Sequence, residues 1–353
     1  MNNRRSKILA TSITGALLTS MSVHADTFTG AGDGTSWEDP NNWAGAAVPL
    51  NNGSGNTLIN NNHQIVFDAD SFASVLAATN TQSATEYRIA RLLMGDSTSG
   101  GANGSHSLTF DPGADKYIRV TNSNSTVISG RPGKNSTLNI VSGTTNLEAG
   151  RIRVGQSDGG SGVINVTGGL LTAGRGGLEL GATNGTGNGT LNILGGSFTT
   201  RNDAEIFGSG TFHVAGSSAA TVGIGSNGTG DGRWVQSTGG TLRLGLDAGG
   251  ITTILIDDAG DDGAGAQGNA TFELNSILDP YDLGGAVPNV WETVMEWEGT
   301  LTDNGLALST GALAAGWEKQ VVGSELQVRL VPEPSAALLS CLGLLGLGIR
   351  RRS

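Results

Sequence analysis

Ser136-Thr137-Leu138-Asn139-Ile140, Gly162-Val163-Ile164-Asn165-Val166, Gly189-Thr190-Leu191-Asn192-Ile193 and Gly210-Thr211-Phe212-His213-Val214 are four versions of one phrase. Apolar and polar residues alternate in each, the period of a strand with one buried face. From Leu138 to Ile164, Ile164 to Leu191 and Leu191 to Phe212 the spacing is 26, 27 and 21 residues. Each phrase is followed by a glycine-containing turn and a second short strand: Arg151 to Gly155, Gly177 to Gly181 and Ala204 to Gly208. Thr241-Leu242-Arg243-Leu244-Gly245 reads as a further second strand. A unit of this length has no second layer to cover its apolar side chains, so successive units must stack on one another. Stacking places Leu138, Ile164, Leu191 and Phe212 in one interior row and Ile140, Val166, Ile193 and Val214 in another.

The fold class that follows is all-β: a parallel β-helix or solenoid with less regular β caps at both ends. An antiparallel β-sandwich or two-sheet stack is the alternative. The Gly-Thr-Leu-Asn-Ile phrase resembles the strand repeats of autotransporter passenger domains and related bacterial surface proteins, which implies parallel β-helices over residues 136–245. Composition points the same way. The chain has 58 glycines among 353 residues and only 5% aromatics, too few large side chains for a conventional core. A hydrogen-bonded ladder can offset the roughly 0.5–1 kcal/mol that each glycine in a regular element costs relative to alanine.

Outward from the repeat, the division is 1–25, a signal peptide; 26–135, an N-terminal β region or cap; 136–250, the repeats; 251–330, a C-terminal β region or cap; and 331–353, a tail. The first segment opens with Arg4, Arg5 and Lys7, continues with an apolar and small-residue run from Ile8, and ends Val23-His24-Ala25. This is the form of a secretory signal, with cleavage by signal peptidase after Ala25. The tail reads Val331-Pro332-Glu333-Pro334-Ser335, then an apolar run from Ala336 to Ile349, then Arg350-Arg351-Arg352-Ser353. That run has 14 residues, short of the roughly 20 of a spanning helix. The arginines would stay cytoplasmic by the positive-inside rule, leaving the body on the other side of the inner membrane.

Tripeptide, apolar run and basic end in this order resemble the PEP-CTERM sorting domain of Gram-negative bacteria. The resemblance implies processing by an exosortase-type membrane transpeptidase, with Pro332, Glu333 and Pro334 as recognition element and Arg350, Arg351 and Arg352 as topological stop. It also implies association with exopolysaccharide. The expected destination is the cell surface, outer envelope or extracellular matrix, after transient anchoring in the inner membrane.

Charge narrows the partners. Six of the 20 basic residues lie in the two ends, leaving 14 against 31 acidic residues over 26–349. Such a surface repels phosphate backbones, which argues against nucleic acid. The single cysteine, Cys341, lies in the apolar tail, so the body has no disulfide, cysteine nucleophile or cysteine-bound zinc.

No catalytic constellation is recognisable. Arg151, Arg175 and Arg201 recur at equivalent places, as do Arg153, Glu179 and Glu205; recurrence suits a solvated strand face better than a unique catalytic geometry. His24, His63, His106 and His213 form no cluster in sequence. The acidic loop Asp257, Asp258, Asp261 and Asp262 is a candidate calcium site, though it departs from the EF-hand form at Gly260 and Asn269. No other cofactor is implied. Trp37 and Trp43, in Ser36-Trp37-Glu38-Asp39-Pro40-Asn41-Asn42-Trp43, either contact sugar rings or cap the open end of the core. The expectation is a non-enzymatic surface or matrix protein that associates with exopolysaccharide. A polysaccharide lyase or hydrolase on the same scaffold and a carbohydrate-binding module are the alternatives.

Overall fold

In the computed structural model, each turn of the chain contributes three short strands to three separate sheets. The structure describes residues 26–332 except 50–55, 60–63, 69–84, 90, 96–103, 122–125, 129–131, 148–149, 157–158, 184–185, 220, 226–231 and 258–267. The turn Ser161–Val166, Leu170–Ala173 and Leu178–Leu180 is representative. Its strands pair in parallel with their counterparts one turn earlier and one turn later. The protein is a three-walled parallel β-solenoid.

Register keeps the repeated phrase in phase. Leu138, Ile164, Leu191 and Phe212 are successive partners, as are Ile140, Val166, Ile193 and Val214, and all eight are fully buried. The expected interior rows are therefore present. Because the side-chain period is two, a slip of one residue would turn every apolar group outward, so each phrase locks the next.

The glycine that opens the phrase has a steric reason. A methyl group at Gly189 would lie 2.1 Å from the Val154 carbonyl oxygen and 2.2 Å from the Gly181 amide nitrogen. Backbone from adjacent turns meets at this corner, and only hydrogen fits.

Two sequence expectations need correction. The turn after each phrase holds a strand of its own: Thr144–Leu147, Leu170–Ala173 and Ser197–Thr200 build the second wall. The strand read as second is thus the third of its turn. Thr241–Asp247 stacks on Gly210–Ala215 and is another copy of the first strand, because Leu242 and Leu244 continue the interior rows of Phe212 and Val214. The parallel ladder extends on both sides of the repeated phrases. Gln64–Asp68 and Gly104–Asp111 lead into Lys134–Ile140, and Ile277–Gly284 follows Thr241–Asp247.

Both ends are closed. At the start, Trp37 packs edge-to-face on Trp43 and Phe67, with ring centroids 4.8 and 5.3 Å apart. At the other end Glu325–Leu330 lies antiparallel between Glu292–Trp297 and Trp317–Val322. Antiparallel pairing ends the parallel growth of that wall. A short helix, Thr310–Ala314, precedes the last hairpin, and its N-cap Ser309 accepts from the Ala312 amide at 3.0 Å.

Candidate functional site

Trp37 and Trp43 sit inside the cap, 0% and 2% exposed. Trp43 Nε1 donates to the Trp37 carbonyl at 2.8 Å, and Trp37 Nε1 to the Tyr87 hydroxyl at 3.3 Å. Their rings are inclined at 69°. Neither presents a flat face to solvent, which corrects the sugar-contact expectation for this pair. The loop that precedes Trp37 is held by Asn42, which is fully buried. Its Oδ1 accepts from Gly32 and Gly34, and its Nδ2 donates to Asp33 and to the Ser36 carbonyl. Hydrogen bonds from Ser36, Thr35 and Asn42 hold the Asp33 carboxyl well below the usual carboxylate range.

Among the described residues the most exposed aromatic ring is that of Tyr117, 48% exposed. It lines a hollow of about 350 Å³ on the second wall with Thr85, Glu86, Arg119 and Asn146. Glu86 accepts from Arg88 Nε at 2.8 Å and from Arg119 at 3.3 Å. Arg88 above all, then Arg119, holds the Glu86 carboxyl below its ordinary pKa against the opposing effect of burial. The buried Asn146 side-chain oxygen Oδ1 accepts no hydrogen bond among the described residues. Sequence reasoning missed this group because its members come from three successive strands of the wall that was read as turns.

Two rows of polar side chains run up the outside of the other walls. On the first wall Asn139, Asn165 and Asn192 form a ladder: Asn165 donates to Asn139 at 2.9 Å and Asn192 to Asn165 at 2.8 Å. His213 Nδ1 continues it to Asn192 Oδ1 at 2.9 Å, while Nε2 lies 2.8 Å from the Tyr281 hydroxyl. On the third wall Arg153, Glu179 and Glu205 are in register, as the repeats foretold. Arg151 pairs with Glu179 and, at 3.3 Å, with Glu205; Arg153 Nε lies 2.9 Å from Glu179. Burial raises the Glu205 pKa, with Arg151 opposing and Glu179 adding to the rise. These carboxylates are tied to guanidinium groups and so are part of a structural network.

Among the candidate calcium ligands, Asp257 lines a cleft of about 570 Å³ with Glu296 and Glu298. Asp258, Asp261 and Asp262 lie outside the described residues, as do Ala25, His24, His63, Glu333, Pro334, Arg350, Arg351 and Arg352. Among the described residues no three His, Cys, Asp or Glu side chains form a metal-holding group, and no helix is long and apolar enough to cross a membrane.

The sorting tripeptide begins directly after the last hydrogen-bonded residue of the body. The Leu330 carbonyl accepts from Asn289 at 2.8 Å and the Val331 amide donates to the Gly316 carbonyl at 2.9 Å. Pro332, the next residue, is exposed. No curated protein and no solved structure gives a significant match to the chain. Residues 330–352 match the model of the PEP-CTERM protein-sorting motif. The motif, carried immediately after the last strand of a β-solenoid, marks the chain as an exported protein handled by exosortase-type machinery.

Proposed function

We propose that the solenoid is a non-enzymatic component of the cell surface or extracellular matrix that holds exopolysaccharide by many weak contacts along a rigid body. The observation that carries this reading is the Tyr117 hollow. A half-exposed aromatic ring offers its π face to the C–H face of a sugar, while Arg119 and Glu86 beside it offer polar groups to hydroxyls. The polar rows on the other walls repeat at the rung spacing, so a long polymer laid along the axis meets similar groups turn after turn, and weak contacts reinforce one another.

The test is retention of the purified, processed protein on polysaccharide isolated from the producing cells. Retention that drops several-fold in Tyr117→Ala, with the melting temperature unchanged, supports the reading. Equal retention of both proteins, or none, contradicts it. New reducing ends in the polysaccharide would replace it with the lyase or hydrolase alternative.

A further inference from the structure

We infer that the C-terminal cap is a membrane-facing surface that rests on the lipid headgroups while the tail is inserted. The inference depends on the reading of residues 336–349 as the membrane segment, and it concerns a different part of the chain from the Tyr117 hollow.

Chain length limits how far the cap can stand from the bilayer. Val331 is fixed by its hydrogen bond to Gly316, and the apolar run starts at Ala336. Five residues of fully extended chain span at most about 18 Å, so the cap cannot stand farther than that from the hydrocarbon. The length of the run shortens the gap. The run has 14 residues, and any helix of that length is about 21 Å long against a hydrocarbon core of about 30 Å. A short span draws its flanking residues into the interface, and here the folded cap ends at Val331, five residues before the apolar run begins.

The surface around the exit suits that position. Leu313, in the short helix Thr310–Ala314 just before Gly316, is 58% exposed, and Val290, next to the Asn289 amide that binds Leu330, is 41% exposed. Arg329 lies over the Trp291 ring at 4.5 Å and pairs with Glu318 at 2.6 Å. Exposed aliphatics beside a tryptophan and an arginine form the mixed surface that settles at a bilayer interface. Leu194 is comparably exposed at 41%, but it follows the strand Asn188–Ile193, four rungs from Ala307–Leu308 on the same wall, or about 19 Å along the axis.

The experiment uses the full chain in vesicles of phosphatidylethanolamine and phosphatidylglycerol that contain a nitroxide-labelled lipid. A fluorophore is placed on the native Cys341, or on Leu313→Cys or Leu194→Cys in a Cys341→Ser background; both introduced positions are exposed enough to carry it. The inference expects strong quenching at Cys341, several-fold more quenching at Leu313 than at Leu194, and unchanged melting. Quenching at Cys341 with Leu313 no different from Leu194 overturns the inference and leaves the membrane-segment reading intact. No quenching at Cys341 overturns the membrane-segment reading, and the cap inference falls with it.

Discussion

His213 takes the place of an asparagine in the outer ladder and keeps its role. Asn192 Oδ1 can only accept, so the imidazole carries its proton on Nδ1, and the lone pair of Nε2 faces the Tyr281 hydroxyl. Burial, and then the nearby Arg243 charge, lower its pKa from 6.5 to about 4, with Asp279 opposing. The unfolded chain therefore binds more protons than the folded one between those two values. Stability is fully present above about pH 6.5 and declines as pH falls toward 4. Melting curves between pH 7.5 and 4 should show His213→Asn losing less stability on acidification than the wild type; parallel curves would contradict the assignment. The equivalence of His213 with Asn192 was legible in the sequence. Its contact with Tyr281 was not, because Tyr281 lies two turns on, in a strand where the phrase has dissolved.

At the scale of the strand, glycine at the phrase's first position reflects close approach of backbones, and the energetic cost of a side chain follows. Gly189→Ala must push the Val154 carbonyl or the Gly181 amide aside. Overpacking of this kind costs about 1–3 kcal/mol, and urea unfolding should show it, whereas the outward-facing Thr190→Ala should differ from wild type by less than about 0.5 kcal/mol. Salt bridges sort by exposure in the same way. Glu179 is 8% exposed and meets two arginines, whereas Glu318 is 48% exposed and meets one. Glu179→Ala should cost about 2 kcal/mol, since it strands charged donors; Glu318→Ala should cost under about 1 kcal/mol. Equal losses for the two would contradict the ladder's structural role. The register of Arg153, Glu179 and Glu205 could be read from the repeats. The middle strand of each turn could not, since four residues such as Thr144–Leu147 carry too little apolar alternation to stand out from glycine turns.

Across the whole molecule, the three walls run without a break from the tryptophan cap to the antiparallel hairpin. The irregular spacing before Leu138 and after Val214 disguised this continuity in the sequence. Variation in length is accommodated between strands, while the rungs keep register through buried rows such as Leu108 on Leu138 and Leu242 on Leu278. The Trp37 and Trp43 pair could be read as either cap or sugar platform until burial distinguished the two. Tyr117 left no comparable mark, because a single tyrosine among charged residues is common in sequence. A body closed at both ends, with its sorting motif starting at the last strand, is built to be exported and then held or released at one end.

That claim is tested most directly by intact mass and cell fractionation of the native protein beside a variant with Pro332, Glu333 and Pro334 replaced by alanine. The account predicts a mature protein lacking residues 1–25 and the apolar tail, found beyond the inner membrane, with the variant unprocessed and retained there. A wild-type protein that keeps its tail and fractionates like the variant would contradict it.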